Sequence, residues 1–391
     1  MQKSQSGIAV RATLLVSLIG LAVLLGVAVA QPLPSGTFGD LAWRMVGPMR
    51  AGRTRAVAGV PGQASVFYIG AVNGGVWKTN DAGRTWQPIF DAQPTQSIGA
   101  IAVAPSDPNI VYVASGEGLL RPDLSVGNGI YRSRDGGRSW SHLGLTEGQQ
   151  IADLAVDPRD PSRLFAAVLG HPFGPNPERG IYRSLDAGAT WQRVLFKDAD
   201  TGGSMVAIDP AHPEIVYAGL WQARLGPWED KNEFNGAGGG LFKSSDGGNT
   251  WRRLSTGLPA NLSQVNVAIA PSAPQRLFAS IATTDPGDYS SADGLGVFRS
   301  DDSGESWTRI TTDPRPALRI GGGDLAVLRV DPTNPDVVYS ASIVTMKSAD
   351  GGKSWKPLRG APGGDDYQNL WINPNDPRII ALVSDQGAVI P

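Results

Sequence analysis

One eight-residue pattern constrains this chain more than any other feature. Ser or Thr, any residue, Asp, any residue, Gly, any residue, Ser or Thr, and Trp recur six times. The copies run from Thr79 to Trp86, Ser133 to Trp140, Ser184 to Trp191, Ser244 to Trp251, Ser300 to Trp307 and Ser348 to Trp355. Successive Trp residues lie 54, 51, 60, 56 and 48 positions apart. A self-similar period of this size means a radial or linear repeat, and the repeat sets the fold. Asp accepts hydrogen bonds from nearby backbone N–H groups and closes a tight turn. Gly supplies the positive φ such a turn needs. The Ser and Thr hydroxyls satisfy the remaining backbone groups, and the Trp opens the next strand with a ring that can pack between neighbouring units. Asp81, Asp135, Asp186, Asp246, Asp302 and Asp350 are therefore structural turn residues.

A second repeat runs in phase. Pro-rich turns at Pro105, Pro158, Pro210, Pro271, Pro332 and Pro374, with a weaker one at Pro61, separate pairs of short β-branched runs. Runs bounded this way read as strand, turn, strand. In the second unit the strands fall at 98–104, 110–115 and 129–133, with Trp140 opening a fourth. Four antiparallel strands per roughly 50 residues, repeated radially, make a β-propeller blade. Seven units are present, so the expected fold is all-β: a seven-bladed propeller of four-stranded antiparallel blades. The seventh has only three strands before Pro391. Trp43-Arg-Met-Val-Gly47 matches the fourth strands and is expected to complete that blade, removing an exposed edge. The unfinished seventh turn leads us to expect a fragment of a longer chain.

Composition agrees with a turn-dense chain. Of 391 residues, 50 are Gly and 30 are Pro, which long helices tolerate poorly. The net charge of −2 removes the electrostatic case for a nucleic-acid partner. There is no Cys and only three His, so disulfides, thiolate chemistry and a His- or Cys-held metal are not expected, and no cofactor is called for. Lys3 and Arg11 precede an apolar run from Ala12 to Ala30 that ends Ala28-Val29-Ala30. This reads as a secretory signal peptide over 1–30, or an uncleaved anchor, followed by a linker over 31–39 and the propeller over 40–391. The expected location is periplasmic or extracellular.

The six turns resemble the Asp-box, or BNR, repeat. The arrangement is similar to the N-terminal propeller of the sortilin family, to xyloglucanase-type glycoside hydrolases and, more distantly, to sialidases and the photosystem assembly propeller. Val46-Gly-Pro-Met-Arg-Ala-Gly-Arg53, Gly70 to Trp77 and Gly363 to Tyr367 look like large exported bacterial propellers labelled glycosyl hydrolases. Sialidases open their Arg triad with Arg-Ile-Pro, which does not occur here. Xyloglucanase-type enzymes place a catalytic Asp before a Gly run near the first strand, and the matching Val46–Arg53 stretch holds no carboxylate. A second catalytic Asp would lie in a second propeller.

Within a blade, the Asp turn shares a face with the Pro turn. The loops joining second to third strands, and the links between blades, form the opposite rim, where function on a rigid scaffold concentrates. Long loops are expected at 116–128, 171–179, 221–239 and 284–295. Their side chains, with those of the links, nominate Arg50, Arg53, Arg121, His171, Trp221, Arg224, Trp228, Asp324 and Tyr367 as ligand contacts. Glu178, Arg179 and Glu229 lie beside them. These residues lead us to expect a non-catalytic recognition module for a protein, peptide or glycan. The alternative is a glycoside hydrolase, whose two carboxylates would come from Glu117 or Asp123 and Asp365 or Asp366.

Overall fold

The computed structural model describes residues 52–121, 124–227, 230–284, 295–320, 324–360 and 364–390. Seven antiparallel sheets follow one another along the chain. Six have four strands, and the seventh has three among the described residues. Their first strands are Thr54–Val60, Ile98–Val103, Ile151–Val156, Thr201–Ile208, Leu262–Ile269, Val327–Val330 and Tyr367–Ile372. Each lies beside the first strand of the next blade, and Tyr367–Ile372 returns to Thr54–Val60, closing a ring around a central channel. The seven-bladed propeller expected from the repeats is the observed fold. The signal segment 1–30, the linker 31–39 and the closing strand at 43–47 lie outside the described residues.

Blades pack through β-branched and aromatic side chains that point from one sheet to the next. Phe90, fully buried, meets Tyr131 and Trp140 of the following blade edge-on at centroid distances of 5.0 and 5.1 Å. Phe67 and Trp371 make the equivalent contact at 5.7 Å where blade 7 meets blade 1. Edge-to-face pairs of this kind each add about 0.5–1.5 kcal/mol beyond area burial.

The six Asp turns share one hydrogen-bond pattern. The first hydroxyl donates to Asp Oδ1 at 2.7–2.8 Å and accepts from the Gly amide at 2.7–2.9 Å. The amide of the seventh residue reaches Asp Oδ1 at 2.9 Å, and its hydroxyl reaches Oδ2 at 2.5–2.7 Å. Trp140 and Trp191 donate their indole N–H to Ile89 and Leu143 of the preceding blade, both at 2.8 Å. Trp307 and Trp355 instead donate to Gly304 and Gly352 of their own turns, so only part of the series staples neighbours.

A ninth position of the motif emerges from the packing. The residue before each first hydroxyl is basic: Lys78, Arg132, Arg183, Lys243, Arg299 and Lys347. The first five reach the next blade's Asp turn and donate to the carbonyls of Gly136, Ala187, Gly247, Ser303 and Gly351 at 2.5–3.3 Å. Each carbonyl belongs to the residue following the turn Asp. The motif is therefore also an inter-blade cation–carbonyl clasp.

Candidate functional site

The rim loops converge on the rim-side mouth of the channel. Glu117 sits between Gly116 and Gly118, both at positive φ (80° and 65°). A Cβ on Gly116 would lie 2.0 Å from the Gln149 carbonyl, so the chain can pass here only with glycine. This passage turns Glu117 inward, fully buried, where Arg53 Nη2 meets its Oε2 at 3.3 Å. Four residues on, Arg121 binds Asp324 through Nη2 and Nε at 2.5 and 3.0 Å, and donates to the Ile320 carbonyl at 2.9 Å. Arg121 and Asp324 come from blades 2 and 6, so this ion pair spans the mouth. Burial pushes the Asp324 carboxyl above its ordinary range, against the pull of Arg121. Its Oδ1 is buried without a hydrogen-bond partner.

Beside this pair stands the link into blade 7. Asp366 has φ of 51°, in the left-handed region, and its amide donates to the Ile343 carbonyl at 3.1 Å. Burial raises its carboxyl pKa, and the neighbouring carboxylates Asp385 and Asp365 raise it further. Asp365 is exposed; its amide donates to Gln386 Oε1 at 3.1 Å, and its Oδ1 accepts from Gln386 Nε2. Thus Arg53, Glu117, Arg121, Asp324, Asp365 and Asp366 share one region, as their loop positions suggested.

Other nominated residues have structural work. Trp221 is only 1% exposed and donates to the Phe234 carbonyl at 2.7 Å. It packs with Leu120, Leu169, Ala223, Leu225 and Phe234, tying rim segments of blades 2, 3 and 4 together. Tyr367 is also 1% exposed. Neither ring is available to stack on a ligand. Arg224 is ion-paired with Asp200 at the surface. His171 is half-buried, and burial, then the cations Arg179 and Arg224, hold its pKa down. Arg179, 1% exposed, organises the 171–179 loop by donating to the Asp200, His171, Ala223 and Gly174 carbonyls at 2.7, 2.9, 3.3 and 3.3 Å. The expected 221–239 loop is largely a hairpin instead: Val216–Arg224 pairs with Glu233–Ser244, matching Gln222 to Gly236 and Arg224 to Glu233. Arg50, Asp123, Trp228 and Glu229 lie outside the described residues.

Three charged residues went unnoticed in the sequence. Arg55, Asp153 and Arg329 project from first strands into the channel. Arg329 was legible in the repeat alignment. Three positions before the turn proline, five blades carry Ala58, Ala102, Ala155, Ala207 and Ala268, whereas blade 6 carries Arg329.

No family model matches the chain. Among curated relatives, it is 28% identical over 341 residues to the xyloglucanase Xgh74A of Acetivibrio thermocellus, covering 76% of this chain and 37% of that protein. It is 25% identical to a probable oligoxyloglucan-reducing end-specific xyloglucanase of Neosartorya fischeri, over 95% of this chain and 47% of the relative. A solved GH74 xyloglucanase from Xanthomonas campestris superposes with a TM-score of 0.65 at 23% identity, over 89% of this chain and 53% of the enzyme. The chain thus has xyloglucanase relatives and spans less than half the length of these two curated ones. These findings overturn the expectation of a non-catalytic recognition module: the relatives are named as enzymes. They lend no support to a protein or peptide partner. Among the described residues no helix is long and apolar enough to cross a membrane.

Proposed function

We propose that this chain is the propeller portion of a glycoside hydrolase acting on xyloglucan-type polysaccharide, with the reacting groups on the rim around the channel mouth. The observation that carries the reading is Asp366. A general acid must hold its proton near working pH, and burial beside like charges is how proteins arrange that. Asp366 is half-buried beside two other carboxylates, and its pKa is raised. The second carboxylate belongs to the same rim group. Asp365 is the exposed candidate; Glu117 and Asp324 are buried and ion-paired and suit a positioning role better. Asp123 stays a candidate from the adjoining loop. Arg53, Arg121, His171 and Arg224, with Arg50 and Trp228, are proposed to line the glycan path.

The Asp-box assignment, export through the 1–30 segment and closure of blade 7 by 43–47 belong to the same reading. Affinity electrophoresis in gels cast with xyloglucan or with amylose tests it. We expect retardation by xyloglucan alone. Equal mobility in both gels and no release of reducing ends from xyloglucan would overturn it.

A further inference from the structure

The channel below the rim carries a feature that glycan cleavage does not use. It holds a half-open cavity of about 440 Å³, within the range of small-molecule sites. Its floor is a ring of six turn prolines, Pro105, Pro158, Pro210, Pro271, Pro332 and Pro374. Its walls are first-strand residues, mostly small or apolar.

Against those walls stand two arginines from different blades. Arg55 is the bulged residue of Thr54–Val60, skipped in the pairing with the second strand, and donates through Nη1 to the Gln368 carbonyl at 3.0 Å. Arg329 donates to the Leu328 carbonyl at 2.9 Å and to Asn369 Oδ1 at 3.0 Å. Among the described residues neither guanidinium has a carboxylate within the 4.0 Å of an ion pair. The charges nearest Arg329 are Asp153, which attracts, and Arg55, which repels. Arg55 also feels Asp324 and Glu117, but Asp324 is bound to Arg121 and Glu117 to Arg53. Asp153 is committed as well, its Oδ1 and Oδ2 accepting the Leu154 and Val206 amides at 2.9 and 3.1 Å. Blades 4 and 5 add no charge to the cavity wall; they contribute polar Ser204 and Asn266 among apolar neighbours. Among the described residues the channel wall therefore carries two cations and one anion, Asp153, which attracts both but forms an ion pair with neither.

A cation taken out of water costs free energy unless an anion answers it, and arginine answers carboxylate or phosphate with two parallel hydrogen bonds. At the register of Arg329, blades 3, 4 and 5 line the cavity with Ala155, Ala207 and Ala268, which fill the axis without charge. We propose that the central channel is a binding site for a small oxyanion, a carboxylate or phosphate borne on a sugar-sized molecule. The ligand enters through the proline ring and is held between Arg329 and Arg55; Asn266 Oδ1 and Asn369 Nδ2 would meet its hydroxyls, since Asn266 Nδ2 and Asn369 Oδ1 are already bonded within the protein. Arg55 feels the rim charges Asp324 and Glu117, but the test reads anion binding and not glycan cleavage, so this proposal and the hydrolase reading fail separately.

The experiment is thermal unfolding and calorimetric titration of the whole protein in low-salt buffer with D-glucuronate, inorganic phosphate or neutral D-glucose. We expect glucuronate or phosphate at 10 mM, roughly ten times a millimolar Kd, to raise Tm by a few degrees, and glucose to do nothing. The tighter of the two anions tells a carboxylate source from a phosphate one. Arg329→Gln should weaken binding at least tenfold, while Arg252→Gln at the surface should not. Selenate soaked into wild-type crystals should give an anomalous peak between Arg55 and Arg329, whatever the variants do. No Tm shift with either anion, a shift that survives Arg329→Gln, or selenate found only outside the channel would overturn the proposal.

Discussion

Arg183→Met isolates the clasp between blades 3 and 4. Arg183 is 8% exposed and donates to the Gly247 carbonyl at 2.8 Å, Asn249 Oδ1 at 2.8 Å and Gln192 Oε1 at 3.0 Å. Hydrogen bonds to a charged group contribute about 1.5–3 kcal/mol each. Gln192 and Asn249 are exposed, so after truncation they turn to water and forfeit little. The Gly247 carbonyl, fixed in the turn, loses its cation and carries most of the loss. Burial depresses the Arg183 pKa, so removing the charge returns part of the cost. The Met stem keeps the aliphatic contact.

The net loss is about 2 kcal/mol, taking one charged bond less that partial return. Unfolding entropy near 2.1 cal/mol/K per residue gives about 0.7 kcal/mol/K for a body of this size, so Tm should fall by about 3 °C. Arg183→Lys should recover most of this, because Lys78 and Lys243 make the same carbonyl contact. Hydrogen exchange adds locality: the Asn249 and Thr250 amides, bonded to Asp246, should exchange faster while those of other turns hold. A stability change below about 0.5 kcal/mol, the size of an ordinary surface substitution, with unchanged exchange would refute the clasp.

Two further outcomes are expected. Hydrogen bonds from the turn hydroxyls and amides hold Asp81, Asp186, Asp246, Asp302 and Asp350 down to about 2, so the folded state binds fewer protons than the unfolded chain between the two values. Tm should therefore fall as pH drops from about 4 toward 2, opposed among the described carboxylates by Asp153, Asp324 and Asp366, whose pKa values burial raises; a flat Tm over that interval would contradict the turn chemistry. Trp221→Ala should cost about 3–5 kcal/mol in denaturant unfolding, as a buried aromatic does, whereas a variant of wild-type stability would return Trp221 to the list of ligand contacts.

The blades were legible because each turn is local chemistry: Ser, Asp and Gly within five residues close it without help from the rest of the chain. The strand limits at 98–104 and 110–115 came within a residue of Ile98–Val103 and Val111–Ser115. The clasp was overlooked because Lys78 and Arg132 act across blades, on carbonyls more than fifty residues away. Exposure was misjudged for Trp221 and Tyr367 for the same reason: Trp221 packs with Leu120 and Leu169 of blades 2 and 3, and Tyr367 with Val327 and Tyr339 of blade 6. The rim group was partly visible, since Arg121 and Asp324 were both named. That they bind each other follows from ring closure, which brings blades 2 and 6 across one mouth. Arg55, Asp153 and Arg329 were passed over as strand interior. A blade-by-blade comparison against the alanines of the same register would have exposed Arg329.

The most direct measurement is the rate of reducing-end release from xyloglucan by the natural full-length protein and its Asp366→Asn variant. Asn tolerates the left-handed backbone at this position, so the substitution removes the proton donor and little else. Loss of a general acid should slow release by about 10²–10⁴-fold with retention on xyloglucan gels unchanged. A variant that cleaves at the wild-type rate would contradict Asp366 as the acid and the rim as the reacting face.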